Sequence, residues 1–262
     1  MKHNLKPQNL SNNFQFLIKL SFFTLIFSWI YFNFIKPLDF YSDFFAVVLA
    51  LTAIIGCSFS FYRSSEWGFT KSKVGLSLIF TSFGLLMWFL GQSLYFLDSK
   101  LTTPLGLYEF FFIFIDPFYL LGMYFLAQSI GTFKYLKANV SLITLPILIL
   151  ILNFILVSLI NGKDLIKMIL NFNLEDIYIL GSIILATFVI SILIFSKKLG
   201  GLYKSALYLI LFGIIFQYLG DNLFAFNSNE DVNGSLSDLL FFISISLITY
   251  GIFKLDPREL YE

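Results

Sequence analysis

The amino-acid sequence predicts an all-α, polytopic membrane protein with about eight transmembrane helices and both termini in the cytoplasm. Three observations lead to this expectation: the composition, the length of the apolar runs and the distribution of lysine and arginine. Of 262 residues, 58% are hydrophobic and 13% are charged, with a mean hydropathy of +0.84. That is far more apolar surface than one soluble core buries. We therefore expect a single integral membrane domain over residues 1–262.

Eight apolar runs match the thickness of a bilayer. A transmembrane helix needs roughly 17–25 mostly apolar residues to cross the hydrocarbon core. The runs lie at 14–35, 44–62, 74–97, 108–133, 139–160, 176–196, 205–226 and 238–254. The first run is expected to be retained, because Lys19 interrupts it and no small-residue cleavage site follows. Pro117 and Pro146 lie within the fourth and fifth runs, and each is expected to bend its helix.

The segment between the fifth and sixth runs mixes charged and apolar residues. Residues 161–176 combine Lys163, Asp164 and Lys167 with several leucines and isoleucines. This composition fits a short helix on the outer interface. It fits a simple extension of the loop or of the neighbouring span equally well.

The placement of basic residues predicts the orientation, since short cytoplasmic loops of membrane proteins are enriched in lysine and arginine. With a cytoplasmic N-terminus, the outer segments contain four such residues, which are Lys36, Lys100, Lys163 and Lys167. The inner segments contain twelve, which are Lys2, Lys6, Arg63, Lys71, Lys73, Lys134, Lys137, Lys197, Lys198, Lys204, Lys254 and Arg258. Lys19 lies near the inner end of the first run and can reach the inner interface. This asymmetry favours the cytoplasm for both termini.

A nine-residue pattern occurs twice. Residues 84–92 read GLLMWFLGQ and residues 213–221 read GIIFQYLGD, 129 positions later. An outer loop and an aspartate-bearing run follow each copy. The two aspartate-bearing runs match each other at an offset of 122 residues, which pairs Asp116, Tyr119 and Gly122 with Asp238, Phe241 and Ser244. Four runs separate the copies, so the copies point the same way across the membrane. We expect a parallel repeat with halves 14–133 and 139–254.

Glycines recur on the faces of the repeated helices. Gly84 and Gly91 are seven residues apart, as are Gly213 and Gly220, and Gly122 lies on the next helix of the first half. Small residues let helix backbones approach closely in lipid, where no hydrophobic force drives helices together. We expect these five glycines to serve helix packing rather than ligand contact.

Polar residues near the outer ends of the repeated helices are the candidate site. A carboxylate near mid-bilayer costs about 2.5–3.5 kcal/mol on insertion scales, so it normally faces a partner, a cavity or water. The candidate outer-leaflet pocket consists of Gln92, Glu109, Asp116, Tyr119, Asp221, Asn222 and Asp238. For Asp116 and Asp221 a functional and a structural role remain equally open, whereas Glu109 and Asp238 fit headgroup positions better. Trp29, Trp67 and Trp88 are interpreted as interface anchors or packing residues.

Several chemistries are closed to this chain. Cys57 is its single cysteine and His3 its single histidine, which excludes an intramolecular disulfide, a His-based zinc site and a bis-His haem site. We expect no metal and no cofactor. The net charge is +1, and no lysine- or arginine-rich tract is present, so no nucleic-acid partner is expected.

The motif residues resemble the multi-pass N-terminal membrane region of prokaryotic sensor histidine kinases and diguanylate cyclases. The resemblance covers 63–133 and 205–254, and it is carried by Glu66-Trp67-Gly68, Trp88, Gly91, Asp116, Phe118, Tyr119, Leu120, Leu121, Gly122, Gly220-Asp221, Gly234-Ser235 and Asp238. It implies a sensor in the cytoplasmic membrane of a prokaryote that perceives an extracytoplasmic or membrane-borne ligand, either a small molecule or a lipid.

Two features depart from that family. Its proline-serine-alanine approach to the first aspartate is absent, and eight residues follow Lys254, so no output domain is expected. The implied signal then passes to a separate cytoplasmic partner. The expected contact surface consists of Arg63, Lys71, Lys73, Lys197, Lys198 and the tail.

A second resemblance is to lysoplasmalogenase-like membrane hydrolases, which have eight spans and use paired carboxylates. Residues 219–223 (LGDNL), followed by Ala225 and Asn227, look like the second of their motifs. In the first motif Gln92 stands where an aspartate is needed, unless Asp116 or Asp98 substitutes. We therefore rank the hydrolase second to the sensor and assign no catalytic residue. A transporter ranks last, since the inner halves of the spans contain almost no ionisable residue.

Overall fold

The computed structural model describes residues 20, 22–31, 40–101, 107–161, 174–196, 203–226 and 235–257, and these contain helices and no strand. Nine α-helices occur in this part of the chain: α1 Phe22–Tyr31, α2 Phe40–Glu66, α3 Lys73–Leu101, α4 Leu107–Ser129, α5 Thr132–Ala138, α6 Thr144–Asn161, α7 Leu174–Ser196, α8 Lys204–Phe226 and α9 Leu236–Lys254. Short 3₁₀ helices, Phe69–Lys71 and Val140–Ile143, precede α3 and α6.

Six helices, α2, α3, α4, α7, α8 and α9, are long and apolar enough to cross a membrane. Each contains an apolar stretch of 18 to 25 residues, which matches the thickness of a hydrocarbon core. The protein is therefore a multi-pass membrane protein. Helices α1 and α6 are apolar but shorter over their described residues.

The fourth and fifth predicted spans differ from the helices that form. Gly131 adopts a φ of 79°, the left-handed conformation that commonly ends helices, so α4 stops at Ser129 and not at 133. The short helix α5 and a 3₁₀ turn follow, and α6 begins only at Thr144. Pro146 therefore lies in the first turn of α6, where backbone N–H groups need no partner within the helix, and the reason for the predicted bend disappears. Pro117 does lie in the interior of α4.

Other predictions fall where the structure gives no description. The predicted interfacial segment lies almost entirely outside the described residues, which resume at Leu174, as do Lys197 and Lys198 of the predicted contact surface.

Helices α3 and α4 form one packed pair, and α8 and α9 form another; α2 and α7 pack against both pairs. Helix α2 packs on α3 and α9, and α7 packs on α8 and α4. Helix α2 buries the large side chains of Phe45 and Leu49. It also buries a row of small residues that allow close approach of the neighbouring backbones, Ala46, Ala50, Ala53, Ser60 and Ser64. Helix α6 packs on α7 and α8 through a small separate cluster and exposes most of its leucines and isoleucines.

The pairs α3–α4 and α8–α9 pack through equivalent residues. A Cβ atom built on Gly91 would lie 2.6 Å from Cε1 of Phe112, and one on Gly220 would lie 2.7 Å from Cε1 of Phe241. Gly220 follows Gly91 by 129 residues, and Phe241 follows Phe112 by the same interval. Trp88 and Gln217 are also 129 residues apart. In each pair a glycine on the first helix receives a phenylalanine ring from the second.

The remaining contacts of the pairs keep the same interval. Gly84 meets the ring of Tyr119, and Gly213 meets the side chain and backbone of Ile248. At the other end of the pairs, Gly122 faces Thr81 and the backbone of Ser77, whereas Gly251 faces Ile210 and the backbone of Ala206. The contacts thus follow one offset on both helices. The offset of 122 predicted for the second helix does not describe them, because it pairs Gly122 with Ser244 and not with Gly251.

One end of the bundle is closed by a group that we call the Arg63 cluster, made of Arg63, Glu66, Asp256, Phe59 and Phe253. The guanidinium is 2% exposed; it pairs with Glu66, lies 3.2 Å from a carboxylate oxygen of Asp256 and donates to the Phe253 carbonyl oxygen. It also lies 5.4 Å and 5.6 Å from the ring centroids of Phe59 and Phe253, close enough for cation–π attraction. The cluster joins the end of α2 to the end of α9.

Burial removes Arg63 from the predicted cytoplasmic contact surface. The neighbouring Trp67 reinforces the junction, since its indole N–H donates to the Leu255 carbonyl oxygen over 2.9 Å and its ring packs on Tyr203. Lys71 is exposed beside this junction and remains available for contact.

Candidate functional site

Three buried side chains form a hydrogen-bonded chain in the interior of the bundle. The indole N–H of Trp88 donates to Oε1 of Gln217 over 3.3 Å, and the amide of Gln217 donates to Oδ1 of Asp116 over 3.4 Å. Their exposed fractions are between 1% and 4%. Because an indole nitrogen can only donate, Trp88 fixes the orientation of the Gln217 amide and turns its NH₂ group towards Asp116.

A second carboxyl group lies in the same region. Asp221 follows Gln217 by one turn of α8, is 3% exposed and lies within electrostatic range of Asp116. Tyr119 is wholly buried and within electrostatic range of both carboxyls, and its hydroxyl has no hydrogen-bond partner among the described residues. We call Asp116, Asp221, Gln217, Trp88 and Tyr119 the carboxyl centre. Three helices, α3, α4 and α8, supply it.

The local sequence explains why these side chains face each other. Gln217 and Asp221 are four residues apart, and Asp116 and Tyr119 are three apart, so each pair lies on one face of its helix. Trp88 lies on α3 between the close contacts that Gly84 and Gly91 make with α4.

Gly181 of α7 borders the carboxyl of Asp116. A Cβ atom at this position would lie 3.1 Å from Oδ2 of Asp116, closer than most real contacts of a Cβ atom. The glycine therefore lets the α7 backbone lie close to the oxygen that does not face Gln217, with less than the room of a methyl group between them.

Two predicted residues, Gln92 and Asn222, are buried next to the centre along their helices. Each is 9% exposed, and the amide of Asn222 donates to the carbonyl oxygen of Tyr218 over 2.7 Å. The Tyr218 hydroxyl donates to Asn153 over 3.5 Å, and the Asn153 amide donates to Thr187 over 3.0 Å. This polar chain joins α8 to α6 and α7.

The two remaining predicted residues lie in the first turns of their helices. Glu109 is exposed and precedes Asp116 by two turns, a rise of about 10 Å, so it stays apart from the carboxyl centre. Asp238 is half-buried in the first turn of α9, where its backbone N–H donates to Ser235 Oγ over 3.4 Å. Phe241, one turn later, contacts the Trp88 ring.

The described residues include no group of three or more histidine, cysteine, aspartate or glutamate side chains that would hold a metal ion. An apolar groove of about 330 Å³ lies on α2, between Ile54, Ile55, Ser58, Phe59 and Tyr62. None of these residues belongs to the carboxyl centre. The centre itself offers two carboxyls, one amide and one phenol, a set suited to binding protons or small polar groups.

Sequence reasoning placed Trp88 among interface or packing residues and did not select Gln217. The repeat contains the signal that identifies them, because the two residues occupy matching positions 129 residues apart and hydrogen-bond directly. Because tryptophan and glutamine differ chemically, the sequence alone does not indicate that these two positions correspond.

No protein-family model matches the chain, and no curated protein or solved structure matches it. The two resemblances stated above therefore rest on the motif residues alone.

Proposed function

We propose that this protein is a membrane-embedded sensor module in which the carboxyl centre responds to an extracytoplasmic or membrane-borne ligand and a separate cytoplasmic partner receives the signal. The observation that carries the proposal is the burial of Asp116 and Asp221, from two different helices, within electrostatic range of each other. Ionisable groups at membrane depth are expensive, and they generally mark functional sites.

Helix α9 provides a physical connection from the centre to one end of the bundle. Phe241 near its start contacts Trp88 and Gly220 beside the centre. At its other end, Phe253 and Asp256 contact Arg63. A displacement of α9 at the centre would therefore change the contacts of the Arg63 cluster, which supports a relay through a rigid element.

We infer eight spans with both termini at the cytoplasmic face of a prokaryotic plasma membrane. The end of α2, the start of α8 and the end of α9 meet at one end of the bundle through Arg63, Trp67 and Tyr203. The lysines Lys71, Lys204 and Lys254 belong to the same end by their positions in the chain, which supports assigning it to the cytoplasm. The other end joins α1 to α9 through Trp29 and Ser235.

We infer further that the two halves arose by duplication. The glycine contacts of α3–α4 recur in α8–α9 at a single offset, and α2 and α7 each pack across both pairs. Trp88 and Gln217, at matching positions, contact each other, as residues beside a two-fold axis do. This supports a parallel repeat about an axis along the membrane normal.

The relay is tested with spin labels on Lys71→Cys and Lys204→Cys in a Cys57→Ser background, in lipid nanodiscs. We expect Asp116→Asn and Asp221→Asn to shift the distance distribution between the labels, because each removes a carboxyl whose change of ionisation biases the two conformations. Glu109→Gln, a carboxylate at an exposed helix end, is the matched control and should leave the distribution unchanged. Identical distributions in all variants would contradict the sensor proposal.

A lysolipid hydrolase is the second candidate, and the proximity of Asp116 and Asp221 favours it. Two carboxyls from different helices can act as general acid and general base on one water molecule. Sequence reasoning ranked this activity lower because Gln92 replaces the expected aspartate, and Asp116 supplies a second carboxyl from α4.

The hydrolase is tested with purified protein and lysolipid substrates in an assay validated with a known hydrolase. Turnover that disappears in both Asp116→Asn and Asp221→Asn would establish it. Absence of turnover in the wild-type protein removes this candidate and leaves the sensor.

A further inference from the structure

We propose that the ligand of the carboxyl centre is a proton, bound by Asp116 at the carboxyl oxygen that borders Gly181. This inference rests on the proposed function, because it names the ligand of the same site. It follows from the charges, the hydrogen bonds and the space around Asp116.

The charges around Asp116 disfavour its ionised form. In the described part of the chain, the ionisable groups within electrostatic range of Asp116 are Asp221 on α8 and Tyr119 on its own helix, and neither is a cation. Of the packed neighbours, α7 contributes Gly181 at this point and α3 contributes Trp88 and Gln92, all uncharged. Two neighbouring carboxylates in a low-dielectric interior repel strongly, and one bound proton removes that repulsion.

The hydrogen bonds identify which oxygen carries the proton. Oδ1 of Asp116 already accepts from the amide of Gln217, whose orientation Trp88 fixes. An oxygen that accepts a hydrogen bond from a fixed donor remains unprotonated, so the proton belongs on Oδ2. Tyr119, with its buried hydroxyl lacking a described partner, is within electrostatic range of the same carboxyl.

Little room is left next to Oδ2. A methyl group at Gly181 would fill it, since a Cβ atom there comes within 3.1 Å of Oδ2. Organic cations exceed that size, and divalent metal ions prefer more oxygen ligands than the pair and one amide provide. A proton needs no cavity at all.

The test is labelling with dicyclohexylcarbodiimide, which adds to protonated carboxyls in apolar surroundings. The purified protein in nanodiscs is labelled across a pH series and mapped by mass spectrometry. We expect one label per chain, on Asp116, that is lost as pH rises and lost in Asp116→Asn. Gly181→Ala keeps both carboxyls but crowds Oδ2, so it should reduce labelling. Infrared spectra should contain a protonated-carboxyl band at neutral pH that both asparagine variants alter.

Three outcomes would overturn the assignment. Labelling of neither aspartate together with absence of the infrared band means that both carboxyls are ionised. Protection by sodium at constant pH means that the centre binds a sodium ion. Labelling unaffected by Gly181→Ala places the proton elsewhere. The labelling experiment does not depend on the spin-label distances at the inner face. If Asp116 is labelled as expected but the spin-label distances do not change, the proton site stands and the sensor proposal is rejected.

Discussion

Arg63→Met is expected to lower the free energy of unfolding by about 3 kcal/mol. Removal of one partner from a buried ion pair typically costs 3–5 kcal/mol, because a charge remains without compensation. Glu66 and Asp256 are 20% and 15% exposed, so water partly restores their solvation and the lower end of that range applies. The variant also loses the cation–π contacts with Phe59 and Phe253. Denaturant unfolding in micelles measures the change.

Two further variants isolate the cause. Adding Glu66→Gln and Asp256→Asn to Arg63→Met removes the unpaired charges and should recover most of the stability, since a neutral group of similar size is often tolerated at such sites. Lys71→Met, at an exposed position, should change stability by less than about 0.5 kcal/mol. If the triple variant is as unstable as the single one, packing and not charge is responsible.

The second large effect is expected for Gly213→Ala and Gly251→Ala. Each new methyl group would lie 2.9 Å from a backbone oxygen of the facing helix, that of Ser244 or of Ala206. A helix backbone cannot rotate away as a side chain does, so α8 and α9 must separate. We expect each substitution to destabilise the protein by about 1–3 kcal/mol, measured by denaturant unfolding in micelles, as overpacking of a well-packed core does.

The double variant should be less destabilising than the sum of the two, because both glycines hold the same interface and the first substitution already opens it. Gly91→Ala is the matched control. The three atoms nearest to its methyl group all belong to the ring of Phe112, which is half-buried and can turn. A larger effect of Gly91→Ala than of Gly213→Ala would contradict the backbone argument.

The apolar runs predicted most of the long helices because hydrocarbon thickness sets the length of a spanning segment. The bounds of α8 and α9, for example, lie within two residues of the predicted runs. The break after α4 was missed, since Gly131 ends the helix through a left-handed backbone conformation that hydropathy does not register. The five predicted packing glycines all lie against a neighbouring helix.

The interior site was predictable only in part. The cost of a carboxylate in lipid singled out Asp116 and Asp221, but nothing local in the sequence links either of them to Trp88. Because Asp116 and Asp238 are both aspartates, the second helices were aligned at an offset of 122 residues, whereas their packing contacts follow an offset of 129 residues. Arg63 was counted as a loop cation because its partner Asp256 is remote in the chain and reaches it only through the fold.

The contact between Trp88 and Gln217 joins two chemically different side chains. Identical residues at these two positions would form a symmetric contact. An indole facing an amide does not: the hydrogen bonds run from α3 to α8 and then to α4, and no reverse chain exists through the same pair. The hydrogen bonds therefore reach Asp116 on α4 from Trp88 on α3 only by way of Gln217 on α8, an order that identical residues at positions 88 and 217 could not provide.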